Sequence, residues 1–108
     1  MTKITFKKNQ FLYSLSCKGH TGKAFSGEDV LCSAISSLVQ STYLGLTKVL
    51  NFNVDFKRNE HKGEFSFELS KEQAQKASLL METLYVSLKD IEIGNEKFMK
   101  VEVCNEVY

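Results

Sequence analysis

A chain of 108 residues with 43% hydrophobic content can bury one core without disulfides or metal, and no linker or repeat divides it, so residues 1–108 are expected to form a single domain. Its 14 basic and 13 acidic side chains leave a formal charge of +1 and fall in ones and twos, with no basic stripe along the sequence to hold a phosphate backbone; no direct nucleic-acid partner is expected. The first eight residues alternate apolar with charged positions instead of running apolar, which argues against a signal peptide or membrane span and for a cytoplasmic protein.

In chain order, Ile4 and Phe6 share one face of a first strand, Asn9-Gln10 interrupts, and Phe11, Tyr13, Leu15 and Cys17 share one face of a second, the pattern of a hairpin. Cys17 falls on the apolar side and reads as core. Gly19 to Gly27 contains three glycines and few large apolar groups, a loop signal. Ser26 can cap a helix, with Asp29 answering it three residues on, and Val30, Leu31, Ala34, Ile35, Leu38, Val39 and Leu46 follow near helical spacing. At about 100° per residue, Leu31, Ala34, Ile35 and Leu38 take the middle of the buried arc. Asp29, Cys32 and Ser36 form a row on its shoulder that continues to Tyr43.

Phe52, Val54 and Phe56 then alternate as a third strand, Arg58 to Gly63 is a polar turn in which His61 reads as solvated, and Phe65, Phe67 and Leu69 mark the returning fourth strand. Ser70 and Gln73 form a capping box ahead of a second helix carrying Ala77, Leu80, Met81, Leu84, Leu88 and Ile91. Gly94-Asn95 ends it, and Met99, Val101 and Val103 alternate in a last strand. The order ββαββαβ predicts a two-layer α/β sandwich, a mostly antiparallel sheet of about five strands under two helices.

Three widely spaced cysteines and two distant histidines offer neither a disulfide framework nor a zinc ligand set, so neither metal nor cofactor is expected. Free cysteine is ordinarily a small buried hydrophobe, and Cys17 and Cys104 are read that way. Cys32 differs because it sits on a helix shoulder, reachable yet shielded, twelve residues after His20 across a loop that can return the chain. Cysteine attacks as thiolate, of which an unperturbed thiol supplies only a minority at neutral pH. An imidazolium stabilises the thiolate and can later protonate a leaving amine, the two requirements of acyl transfer through a thioester. Asp29 can orient that imidazole, or it can simply satisfy free N–H groups at the helix start; both roles are open. Ser36 can hydrogen-bond a substrate.

Two motif lookalikes deserve comparison. A phosphate-binding P-loop fails because Cys17 occupies the first glycine position and Ala24 the hydroxyl position. Gly19-His20-Thr21-Gly22 has the G-x-x-G form that clamps a nucleotide backbone in KH domains, but there it joins two helices and here it follows a strand. A ribosome-associated RNA-binding module without catalysis, using Gly19 to Lys23, is the alternative reading.

Gly19-His20 followed by Gly27-Glu28-Asp29-Val30-Leu31-Cys32-Ser33-Ala34-Ile35-Ser36 resembles the ribosomal-processing cysteine protease family, Prp, whose pattern is Gly-His and then Gly-x-Asp-[Ile/Val]-x-Cys-[Ala/Ser]-Ala-[Val/Ile]-Ser. Length and element order agree over essentially the entire chain. The resemblance implies an endopeptidase that removes a short N-terminal extension from the large-subunit ribosomal protein numbered twenty-seven, cutting after a phenylalanine. It implies Cys32 as nucleophile and His20 as general base and acid, with Asp29 and Ser36 in supporting positions. A homodimer is implied too, with a segment from Thr21 to Glu28 that orders over substrate. Phe25 and Tyr43 are candidates for aromatic contacts to the substrate, and the loop glycines, Gly19 and Gly27, for contributions to an oxyanion hole.

Overall fold

Alternation in the apolar runs is realised as five strands. In a computed structural model that describes residues 1–19, 28–59 and 63–106, these are β1 (Thr2–Lys8), β2 (Leu12–Lys18), β3 (Phe56–Asn59), β4 (Glu64–Glu68) and β5 (Met99–Asn105), in one sheet of order β3-β4-β2-β1-β5. Three α-helices accompany them: α1 (Glu28–Leu44), α2 (Lys71–Lys76) and α3 (Ser78–Glu92). Neighbouring strands are antiparallel except β5, which runs parallel to β1. The two-layer α/β reading and the mostly antiparallel five-stranded sheet are therefore found, with one parallel pair.

Parallel relations require crossovers, and the chain makes two. From β2 it passes through α1 to β3, and from β4 through α2 and α3 to β5; each joins strands of the same direction and passes over the strands between them. Both crossovers lie on one face. There Ile4, Phe6, Leu15, Cys17, Phe67, Met99 and Val101 are buried against Leu31, Ile35 and Val39 of α1 and Met81, Leu84 and Leu88 of α3. The Phe6 ring meets Tyr85 edge-on, centroids 5.4 Å apart.

Several local expectations shift. A bulge advances β2 by two residues against one of β1, from Lys7 opposite Ser14 to Lys8 opposite Leu12, and this sends Leu12 into the core in place of Phe11 and Tyr13, which are only half-buried. The third strand begins at Phe56, not Phe52. α1 runs on into a wider turn over Gly45–Val49, closed by Leu50 N–H donating to the Gly45 carbonyl (2.9 Å) and Phe52 N–H to Leu46 (2.9 Å), with Asn51 at φ 57° reversing the chain. Those bonds consume the segment that alternation alone assigns to a strand. Gly45 is a site of close approach: a Cβ there would stand 2.9 Å from Leu80 Cδ2.

The second predicted helix is two. Its capping box forms as expected, Gln73 N–H donating to Ser70 Oγ (3.2 Å) and Ser70 N–H to Gln73 Oε1 (3.0 Å), but the backbone opens at Ala77 (φ −99°, ψ 14°). The break lets Ala74 and Ala77 as well as Met81, Leu84 and Leu88 meet the core. Val30, expected on the apolar face, is 74% exposed, because the buried arc of α1 is Leu31, Ile35, Val39 and Thr42, continued by Leu46 in the wider turn, and Val30 stands well outside it.

Candidate active site

β2 delivers the chain to the site. Gly19 follows its last residue at φ +88°, a left-handed conformation natural to glycine, and a Cβ there would collide with the Met1 carbonyl oxygen. Two constraints, one torsional and one steric, thus require glycine where β2 hands over to the histidine. His20, Phe25 and Gly27 of the sequence reading, with the Ser26 cap and most of the substrate-ordering segment, lie outside the described residues, as does His61. Asp29 has its backbone in the first turn of α1, and the orientation expected of its carboxylate is also outside the described residues.

Cys32 is the fifth residue of α1 and is half-buried. Its angular position lies beside the buried arc of Leu31, Ile35 and Val39, as the projection on the helix requires. The three thiols divide by environment: Cys17 is fully buried, Cys32 intermediate and Cys104 exposed. Burial pushes the Cys17 thiol up to about 12, and charge on Cys32 acts in the same direction. The sheet cysteine is thus held as a neutral thiol. Reading Cys17 as core agrees with this.

Ser36 is one turn beyond Cys32 and half-buried on the same row. Tyr43 completes that row, about 16 Å along the helix axis from Cys32. Its hydroxyl donates to the Val54 carbonyl (2.7 Å), and its ring packs against Phe56 and Phe67, centroids 5.0 and 6.0 Å away, while Phe56 stacks on Phe65. Tyr43 therefore clamps α1 to the β3–β4 end of the sheet. A peptide lying along α1 would need roughly five extended residues to reach it from Cys32. Among the described residues no three His, Cys, Asp or Glu side chains converge as a metal site.

What this arrangement can do is present one half-buried thiol near the start of a long helix. A family model described as cysteine protease Prp matches residues 1–100. The ribosomal processing cysteine protease Prp of Bacillus subtilis is 32% identical over 85 residues, covering 75% of this chain and 76% of that protein. A crystal structure of a Streptococcus mutans protein superposes with a TM-score of 0.89 at 22% identity, over 98% of this chain and 99% of that one. The essential ribosomal processing protease Prp of S. aureus, solved with a substrate peptide, gives 0.86 at 17% identity over 96% of this chain and 100% of that one.

Proposed function

Because the chain belongs to the Prp family of cysteine proteases, we propose that it is the endopeptidase that trims the short N-terminal extension of the large-subunit ribosomal protein numbered twenty-seven. The chain is a cysteine protease of the ribosomal-processing class, and its substrate is a peptide. The observation that supports the finer reading most is the position of Cys32: the cysteine of the family's Gly-x-Asp-x-x-Cys motif falls near the head of α1 and is half-buried, whereas Cys17 is buried and Cys104 exposed.

In this mechanism His20 takes the Cys32 proton, and the ion pair of thiolate and imidazolium is the resting nucleophile. Sulfur attacks the scissile carbonyl, and His20 returns the proton to the leaving amine as the C–N bond breaks. The resulting thioester is hydrolysed by a water that His20 deprotonates, which restores the thiol. Asp29 orients the imidazole and Ser36 holds the peptide. Gly19 and Gly27 let the backbone approach the carbonyl oxygen closely, and Phe25 contacts the residue before the cut. The active species is a homodimer in the cytoplasm.

A synthetic peptide spanning the extension junction, read by mass spectrometry, tests the reading. Wild type is expected to cut at one bond and Cys32→Ala at none, with the variant's circular dichroism unchanged. Cleavage by a folded Cys32→Ala protein would sink the assignment, and a solution mass of one chain would remove the dimer.

A further inference from the structure

Both crossovers cover the same face of the sheet, which leaves the opposite face without a helix among the described residues. The strand pairing gathers on it charges that are far apart in sequence. Lys100 of β5 stands beside Lys3 of β1, and Lys3 stands beside Lys18 of β2, three ammonium groups in line across adjacent strands. Strands are about 4.8 Å apart, so the row spans roughly 10 Å. Like charges directly opposite one another destabilise a sheet, so such a row has a folding cost. Glu102 relieves part of it, 3.5 Å from Lys3 and 3.0 Å from Lys100, and leaves Lys18 without an ion pair among the described residues.

The neighbouring row is hydroxylated at its centre and begins at Glu102 of β5, beside Thr5. Thr5, Ser16 and Ser66 lie side by side across β1, β2 and β4, and Lys57 of β3 ends the row. A groove of about 620 Å³ runs over these positions, walled by Lys3, Lys7, Lys18 and Lys57, with Asp55 and Glu68 among its lining. The one aromatic in its lining among the described residues, Phe67, is 2% exposed and offers no stacking platform.

We propose that this open sheet face docks the phosphate backbone of RNA, through Lys3, Lys18 and Lys57 and the hydroxyls of Thr5, Ser16 and Ser66. Lysine point charges interleaved with hydroxyls are the groups that contact phosphate and sugar oxygens, whereas planar carboxylates are recognised best by arginine forks, which the groove's lining lacks among the described residues. Without exposed rings the contact is to backbone and independent of sequence. A second copy of this chain stacked here would set lysine row against lysine row. The inference does not rest on the proposed peptide substrate, since a free peptide can be cut with this face empty.

The test is fluorescence anisotropy of the full chain with a fluorescein-labelled, unstructured 20-nucleotide RNA between 50 and 200 mM KCl. Binding is expected at 50 mM, with a log–log salt slope of about −2 for three phosphates neutralised on a single strand. Lys3→Gln/Lys18→Gln/Lys57→Gln together should weaken it at least tenfold, Lys18→Gln alone should lower the slope by about 0.7, and Lys48→Gln/Lys71→Gln, away from this face, should change nothing. No binding at 50 mM, a triple variant that binds like wild type, or displacement of RNA by polyglutamate as readily as by unlabelled RNA would each overturn the proposal, the last in favour of an acidic peptide.

Discussion

Replacing Cys17 with alanine should destabilise this protein at neutral pH and lose that effect as the solution becomes alkaline. At pH 7 the thiol is a fully buried core group, and its removal leaves a small cavity costing about 1–2 kcal/mol. The folded state holds this thiol's proton up to about 12, against an ordinary value of 9.0 for the unfolded chain. The raised value means that the contribution is fully present below pH 9 and is lost progressively between pH 9 and 12, where the unfolded chain releases a proton that the folded one retains. By pH 10.5 the loss reaches about 2 kcal/mol, one and a half pH units at about 1.4 kcal/mol each. Cys17→Ala lacks this term, so the gap between wild type and variant should close and vanish near pH 10.5. Urea unfolding followed by circular dichroism, in reductant, at pH 7, 9 and 10.5 measures it. Titration of the other thiols, tyrosines and lysines is common to both proteins and cancels in the difference. A gap that stays constant from pH 7 to 10.5 would refute the reasoning.

Glu92 ties the end of α3 to the outer strand, accepting from Val101 N–H (2.5 Å) and Lys89 Nζ (2.8 Å). Glu92→Ala should cost about 1–2 kcal/mol in urea unfolding, because it uncovers a backbone donor on edge strand β5. The Lys89 ammonium first, and the Val101 N–H with it, hold the Glu92 carboxyl below the ordinary 4.5; its contribution is present above pH 4.5 and lost as pH falls through the lower folded value, so Glu92→Gln should flatten the acid limb of the stability profile. Tyr43→Phe should lower stability by about 1 kcal/mol through its lost bond to the Val54 carbonyl. Peptide cleavage by that variant should keep its KM if the hydroxyl is purely structural, and a raised KM at unchanged Tm would place it on the substrate.

Period-two alternation suffices to read β1, β2, β4 and β5, and the Ser70–Gln73 box to start α2, because each signal is local: a pleat or a capping bond involves residues within a few positions. The shoulder placement of Cys32 was legible for the same reason, since angular position on a helix follows from spacing alone. The displaced β3 was not legible. Phe52, Val54 and Phe56 alternate like a strand, but the carbonyls of Gly45 and Leu46 capture the N–H groups of Leu50 and Phe52 first. The opening at Ala77 likewise leaves no local mark, with neither proline nor glycine there, and answers to burial against the sheet.

By itself, then, the order of residues determined which segments pair or coil, which side of each is apolar, and that one thiol would stand on the edge of a helix behind a glycine-rich segment. Pairing partners were decided only in three dimensions. That β5 lies parallel beside β1, that Cys17 sits buried beneath the influence of Cys32, and that Lys3, Lys18 and Lys100 share one row are consequences of register between strands separated by up to most of the chain length. Register is set by burying both crossovers on a common face, a cooperative condition that no window of sequence contains.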